Sequence, residues 1–288
     1  MDHCTISNGY LTAIVKELGA ELCSLTNAEG LQLIWDGGPA WPRHAPILFP
    51  IVGRLKNDEL RHHGRTYSMK QHGFARDHRF TWCDTQSQSC TLSLSDNEET
   101  RARYPFAFRL DVIFTVDSRQ LVIAYELINT GKETLPASIG AHPAFNWPLV
   151  KGAAKHAHTI VFAEEERAQI RRVDGGLLGA GSYDSGIQDK TLTLNEALFA
   201  EDAMIMDNVA SKSLRYSIPQ GPGIDFSWDG FRQLGLWSKA DGAPFLCIEP
   251  WYGYASPADF DGEFETKPGL MHLAPGEKRT FTQRITVD

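Results

Sequence analysis

The chain has 288 residues, 42% of them hydrophobic and 22% charged, and its 28 basic against 36 acidic side chains leave a formal net charge of −8. This composition excludes disordered, collagen-like and coiled-coil classes and supplies a substantial core. An acidic balance without any run of lysine and arginine argues against a nucleic-acid backbone or a membrane surface as partner and points to a small polar ligand.

No apolar stretch reaches the roughly 18 residues of a membrane span, and the opening Met1-Asp2-His3-Cys4 lacks a basic-then-apolar leader. Cys4, Cys23, Cys83, Cys90 and Cys247 are scattered and form no CxxC pair. Reduced thiols and a cytoplasmic location are therefore expected.

Period-two alternation of apolar side chains is the dominant pattern, and it puts every second residue on one face of a strand. In chain order it predicts strands at Leu11–Val15, Leu31–Trp35 and Thr91–Leu94, then a helix over Asp96–Tyr104 stopped by Pro105. In Arg109–Asp117, Leu110, Val112, Phe114 and Val116 share a face. In Gln120–Ile128, Leu121, Ile123, Tyr125 and Leu127 do the same, and Ser118-Arg119 between the two runs predicts a hairpin. Further runs lie at Thr159–Phe162, Leu214–Ile218, Leu234–Trp237 and Thr280–Val287, separated by Gly-, Pro- and Asn-rich turns. Many short strands punctuated in this way predict an all-β sandwich or barrel, read as one domain over residues 1–288.

Two stretches break the alternation while remaining rich in aromatic and polar side chains: Trp41 to Arg79, and Gly140 to Pro148. Loops of this kind on a rigid β scaffold are where sites sit. A Walker sequence and a GxSxG elbow are both missing, and Gly176 to Gly186 has the wrong spacing for a dinucleotide fingerprint. His156-Ala157-His158 with Glu164 has the look of a metal cluster, but its charged, Ala-rich surroundings read as a solvated loop, and a structural zinc would need clustered ligands. No metal is expected.

Three residues stand out for chemistry. His72 lies in Gln71-His-Gly-Phe-Ala-Arg76, beside a glycine that permits close approach; His142 lies in Gly140-Ala-His-Pro-Ala-Phe145, where the proline biases it towards extended backbone. Glu249 ends the apolar run Phe245-Leu-Cys-Ile-Glu249 ahead of Pro250-Trp251, and a carboxylate so placed is costly unless paired or used. Singly, each has an ordinary structural reading.

Together with Pro46-Ile-Leu-Phe-Pro-Ile-Val-Gly-Arg54 and Ile248-Glu-Pro-Trp251, these blocks resemble the aldose 1-epimerase (galactose mutarotase) family, in a shorter and divergent branch. The resemblance covers nearly the whole chain. It implies a large antiparallel β-sandwich holding a sugar in a cleft on its concave face, and ring opening by two proton transfers with Glu249 as base and His142 as acid. By the same resemblance His72 orients the sugar, Arg54 and Asp202 bind its hydroxyls, and Trp251 offers a stacking wall; no metal or organic cofactor is implied. The chain departs from the better-studied galactose mutarotases in having Ala141 before the histidine, where asparagine is usual, and Ala144 where tyrosine is usual.

The competing expectations are a hexose-6-phosphate 1-epimerase, with Arg54, Arg76 and Lys70 supplying a phosphate pocket, and a non-catalytic sugar-binding protein of the same fold. A glycoside hydrolase pairing Glu249 with Asp202 or Asp225 would leave both histidines unexplained.

Overall fold

The computed structural model describes residues 2–167 and 169–288. The predicted hairpin forms as Phe108–Asp117 against Gln120–Asn129, with Gln120 opposite Asp117 and Ser118 turning the chain at φ 54°. Every apolar residue predicted to share its inner face, from Leu110 to Leu127, is buried. The hairpin sits inside a nine-stranded antiparallel sheet. From one edge to the other its strands are Thr191–Thr193, Thr159–Phe162, Ser213–Ser217, Gly223–Asp229, Lys278–Val287, Gln120–Asn129, Phe108–Asp117, Ser89–Ser95 and Thr81–Thr85.

A second antiparallel sheet runs Met204–Met206, Gln233–Trp237, Phe245–Tyr252, Ile139–Ala141 and Ile47–Leu48, with Ala144–Asn146 also pairing onto Phe245–Tyr252. Its inward residues, among them Ile47, Ile139, Leu236, Leu246 and Ile248, belong to the same buried cluster as the inner face of the large sheet. Two sheets closing over one core make the expected β-sandwich.

Alternation in the second sheet decides where chemistry can sit. Leu246 and Ile248 point into the shared core, whereas Phe245 and Cys247 join a separate cluster with Trp35, Ala144 and Ala243 on the opposite face. Period two then carries Glu249 and Trp251 onto that opposite face, away from the main core.

A third sheet, His3–Ser7, Leu11–Lys16 and Glu21–Asn27, lies at the N-terminal end. Its buried Glu21 accepts hydrogen bonds at Oε1 from the backbone N–H of His44 (2.7 Å) and of Ala45 (3.0 Å), and its other oxygen pairs with the Lys16 ammonium. Burial opposes ionisation, but His44 and Lys16 outweigh it and hold the carboxyl at about 2.

Two expectations change. Leu31–Trp35 is not a strand, because it makes only single bridges, Gln32 to Thr26 and Ile34 to Phe145, as it passes between sheets. The helix shrinks to Glu98–Arg101, capped by a reciprocal Asn97–Thr100 box. Pro105 disfavours helical backbone at Tyr104, whose buried hydroxyl donates instead to the Pro136 carbonyl at 2.6 Å. Among the described residues no helix is long and apolar enough to cross a membrane, and all five cysteines are free.

Replacing Glu21 with Ala strands the Lys16 charge and two amides, and should cost about 3 kcal/mol at pH 7 in denaturant unfolding. Because the folded-state pKa is depressed, this contribution is complete above the unfolded value of about 4.5 and fades as pH falls towards 2. The gap between wild type and variant should therefore narrow over that window.

Candidate active site

The sequence blocks meet at a cleft of about 250 Å³ on the outer face of the second sheet. That is somewhat below the roughly 300–1,000 Å³ of sites for drug-sized ligands. Glu249 rises from the middle of Phe245–Tyr252, and His142 follows directly on the neighbouring Ile139–Ala141 strand. The pairing of Ala144 with Cys247 and of Gly140 with Trp251 brackets the two residues side by side, leaving His142 Nε2 3.2 Å from Glu249 Oε2. Both side chains are almost wholly buried.

Aromatic rings fix the imidazole. The Trp41 ring stacks on His142 at 5.0 Å, while Trp237 and His72 meet it edge-on at 5.8 Å each. His142 Nδ1 and Glu249 Oε2 are buried, yet neither makes a well-formed hydrogen bond among the described residues. Buried polar atoms normally find partners, so the unsatisfied Nδ1, and an Oε2 whose nearest described basic atom is His142 Nε2 at 3.2 Å, set this pair apart from the surrounding core.

His72 is held by a reciprocal clasp. Its backbone N–H donates to the Gly53 carbonyl (2.7 Å), and the Gly53 N–H donates back to His72 Nδ1 (3.1 Å). The clasp requires left-handed backbone at His72 (φ 65°). With Nδ1 occupied as an acceptor, the ring proton of the neutral imidazole resides on Nε2. Burial, then the charge of Arg76, keeps the His72 pKa well below its ordinary value, so it is a neutral hydrogen-bond donor.

The Glu249–His142 pair follows the same logic. Burial raises the Glu249 pKa well above the usual carboxylate range, against a smaller opposing effect of the Trp251 indole N–H. Burial, and next the Arg76 charge, lowers His142 to about 3. The one proton the pair can exchange therefore rests on the carboxyl, facing an imidazole nitrogen free to accept it.

The cleft brings together His72, His142, Glu249, Arg76, Asp202 and Trp251. Arg76 donates through Nη2 to the Gln71 carbonyl (2.7 Å), while its buried Nε lies 4.0 Å from Asp77 Oδ2 and makes no hydrogen bond among the described residues. Asp202 stands at the rim at φ 66°, its Oδ1 accepting from the Ala203 N–H at 2.8 Å. Arg54 is not part of the lining. Its guanidinium is gripped by Asp58 at 2.6 and 2.7 Å, and only its stem reaches the cleft edge, behind Gly176. Lys70 is exposed and also outside the lining.

Trp41 and Gln71 lie in the stretch the sequence marks for a site but carry no assigned role there, and Trp237 is marked only as part of a strand, although all three line the cleft. Trp41 arrives on an irregular segment whose path is set by the amides that Glu21 holds, a contact without local signature. His158, read as part of a solvated loop, is fully buried; its Nε2 accepts from Leu149 N–H and its Nδ1 faces the Ala154 and Lys155 carbonyls, so both nitrogens are engaged.

The family model for aldose 1-epimerase matches residues 2–286. The chain belongs to the aldose 1-epimerase family. It is 33% identical, over 98% of each chain, to the chromosomally encoded protein LacX of Lactococcus lactis. It also superposes with TM-score 0.93 and 31% identity on a galactose mutarotase related enzyme from Lactobacillus acidophilus, covering 99% of this chain and 97% of that one. A galactose mutarotase-like protein from Lactobacillus casei gives TM-score 0.91 and 29% identity, covering 99% and 100%. The two positions at which this family member departs from the galactose mutarotase block, Ala141 and Ala144, are buried strand residues outside the cleft lining.

Trp251 owes its position to two absent side chains. A Cβ on Gly140 would lie 2.6 Å from its indole, and one on Gly235 would lie 2.5 Å away. Gly235→Ala should therefore displace the ring, costing about 1–3 kcal/mol in unfolding measurements and altering the near-ultraviolet circular dichroism of the tryptophans.

Proposed function

We propose that this member of the aldose 1-epimerase family interconverts the α and β anomers of a free hexose, with Glu249 as base and His142 as acid, the chain acting as one domain over residues 1–288. The observation that carries the reading is the 3.2 Å approach of a buried imidazole to a buried carboxyl inside a monosaccharide-sized cleft.

Anomer exchange requires a proton to leave the anomeric hydroxyl and another to reach the ring oxygen, with the roles reversed on closure. One mobile proton and one vacant basic atom suffice, and the pair carries that inventory. Passing the proton from Glu249 to His142 prepares a carboxylate to take the anomeric proton and an imidazolium to protonate the ring oxygen. His72 contributes its Nε2–H as a fixed dipole towards a sugar oxygen, needing no reorganisation as charge develops. Asp202 accepts from hydroxyls at the rim, and Trp251 covers an apolar face of the ring.

Arg76 supports a second reading. A guanidinium whose buried Nε makes no hydrogen bond among the described residues and reaches only Asp77 Oδ2, at 4.0 Å, beside the cleft suits a sugar bearing a phosphate, which makes a hexose 6-phosphate the alternative substrate. Anomerisation of glucose, galactose and glucose 6-phosphate, followed in parallel by polarimetry or NMR, distinguishes the two; binding without acceleration of any of them would leave only a sugar-binding role.

Glu249→Gln and His142→Asn should each reduce kcat by at least about 10²-fold with folding retained, and near-normal turnover in either would remove that residue from the chemistry. The pH profile is equally diagnostic. The one-proton pair loses its competence when His142 is protonated, near 3, or when Glu249 ionises, well above 4.5. kcat/KM should therefore show no acid limb between pH 5 and 7, and a limb there would contradict the proposed environment.

A further inference from the structure

We propose that His62, His63 and Glu133 form a divalent-cation site, suited to Zn²⁺, outside the cleft. One donor atom from each of the three residues lies within 4.8 Å of the others, and none of the three lines the sugar cleft. Consecutive residues of a strand normally point to opposite faces. His62 ends the Glu59–His62 strand, and His63 and Gly64 then turn the chain through left-handed backbone, at φ 50° and 70°. The turn swings both imidazoles to the same side, with ring centroids 4.0 Å apart.

Glu133 approaches from a different part of the chain, on the loop after Gln120–Asn129, which Asn129 pins by donating to the Glu133 carbonyl at 2.8 Å. Its carboxylate makes no ion pair or hydrogen bond among the described residues. With donor atoms within 4.8 Å of one another, rotamer changes in the two exposed side chains, His63 and Glu133, would bring all three to a common cation at the usual Zn²⁺ distances of about 2.0–2.1 Å.

The surrounding polar groups are also arranged as a metal site requires. His62 Nδ1 lies 3.2 Å from Glu265 Oε2, so its proton is placed on Nδ1 and the Nε2 lone pair is left free. A carboxylate behind a ligating imidazole is the usual means of fixing tautomer and basicity. Two imidazoles and a carboxylate without sulfur match Zn²⁺ with a water in the fourth position. A bound ion would tie the Glu59–Ser68 hairpin to the loop after Asn129.

The test titrates Zn²⁺ alone into the full chain freed of metal by chelator, with calorimetry and thermal unfolding as readouts. One equivalent should bind, and Tm should rise by at least about 3 °C at a hundredfold excess over Kd. His63→Asn, which keeps a residue tolerant of left-handed backbone, and Glu133→Gln should each weaken binding more than about tenfold, and Glu265→Gln about tenfold. Their metal-free Tm values report folding independently. Absence of binding, or affinity unchanged in H63N and E133Q, overturns the proposal. So does binding that is lost instead in Cys247→Ser, whose thiol lies within 4.8 Å of donor atoms of His142 and Glu249, since that would put the ion in the cleft. Anomerisation assays address a different site, so failure here leaves the proposed catalysis untouched.

Discussion

A carboxylic acid and an imidazole in contact away from water are the constraint on which the rest of this molecule depends. Either group alone would be a liability in the interior, because desolvation penalises whichever form is charged. Side by side they share one proton and remain neutral together, as the opposite shifts of Glu249 and His142 express. The environment that makes the pair tolerable in the folded state also keeps it one transfer from an ion pair. The aromatic enclosure of Trp41 and Trp237 has the same double effect, since it removes water and limits ring rotation.

The scaffold meets this requirement through the alternation of a single strand. Leu246 and Ile248 lock Phe245–Tyr252 into the shared core, so Cys247, Glu249 and Trp251 have only the other face to occupy. Neighbouring strands then supply what that face needs: His142 beside the acid, and the glycines Gly140 and Gly235 beneath the indole. Position is thus set by backbone pairing over a well-packed core, and loops contribute the groups that close the cleft.

Much of this was legible before any coordinates, for identifiable reasons. Period two in 109–128 marks a hairpin because both partners are adjacent in sequence and their turn is two residues long. The residues His72, His142 and Glu249 stand out because each is a titratable group set against glycine, proline or an apolar run. What the sequence does not convey depends on distant partners. Arg54 looks like a sugar ligand until Asp58, four residues on, takes up both arms of its fork. Trp41 carries no role of its own until Glu21 is seen to hold the amides a few residues further on, and the 31–35 segment alternates like a strand yet finds no continuous neighbour. Local pattern reports what a residue prefers, and tertiary competition decides what it obtains.

The grip of Glu21 on the amides of His44 and Ala45 gives the amino-terminal three-stranded sheet a part in shaping the cleft that its distance in sequence conceals. The wall of the cleft bearing Trp41 hangs from that hook. Lesions among the opening twenty-odd positions would accordingly surface as a loosened Trp41 ring against the imidazole, so the front end of the polypeptide behaves as a remote strut of the cleft rather than as trim.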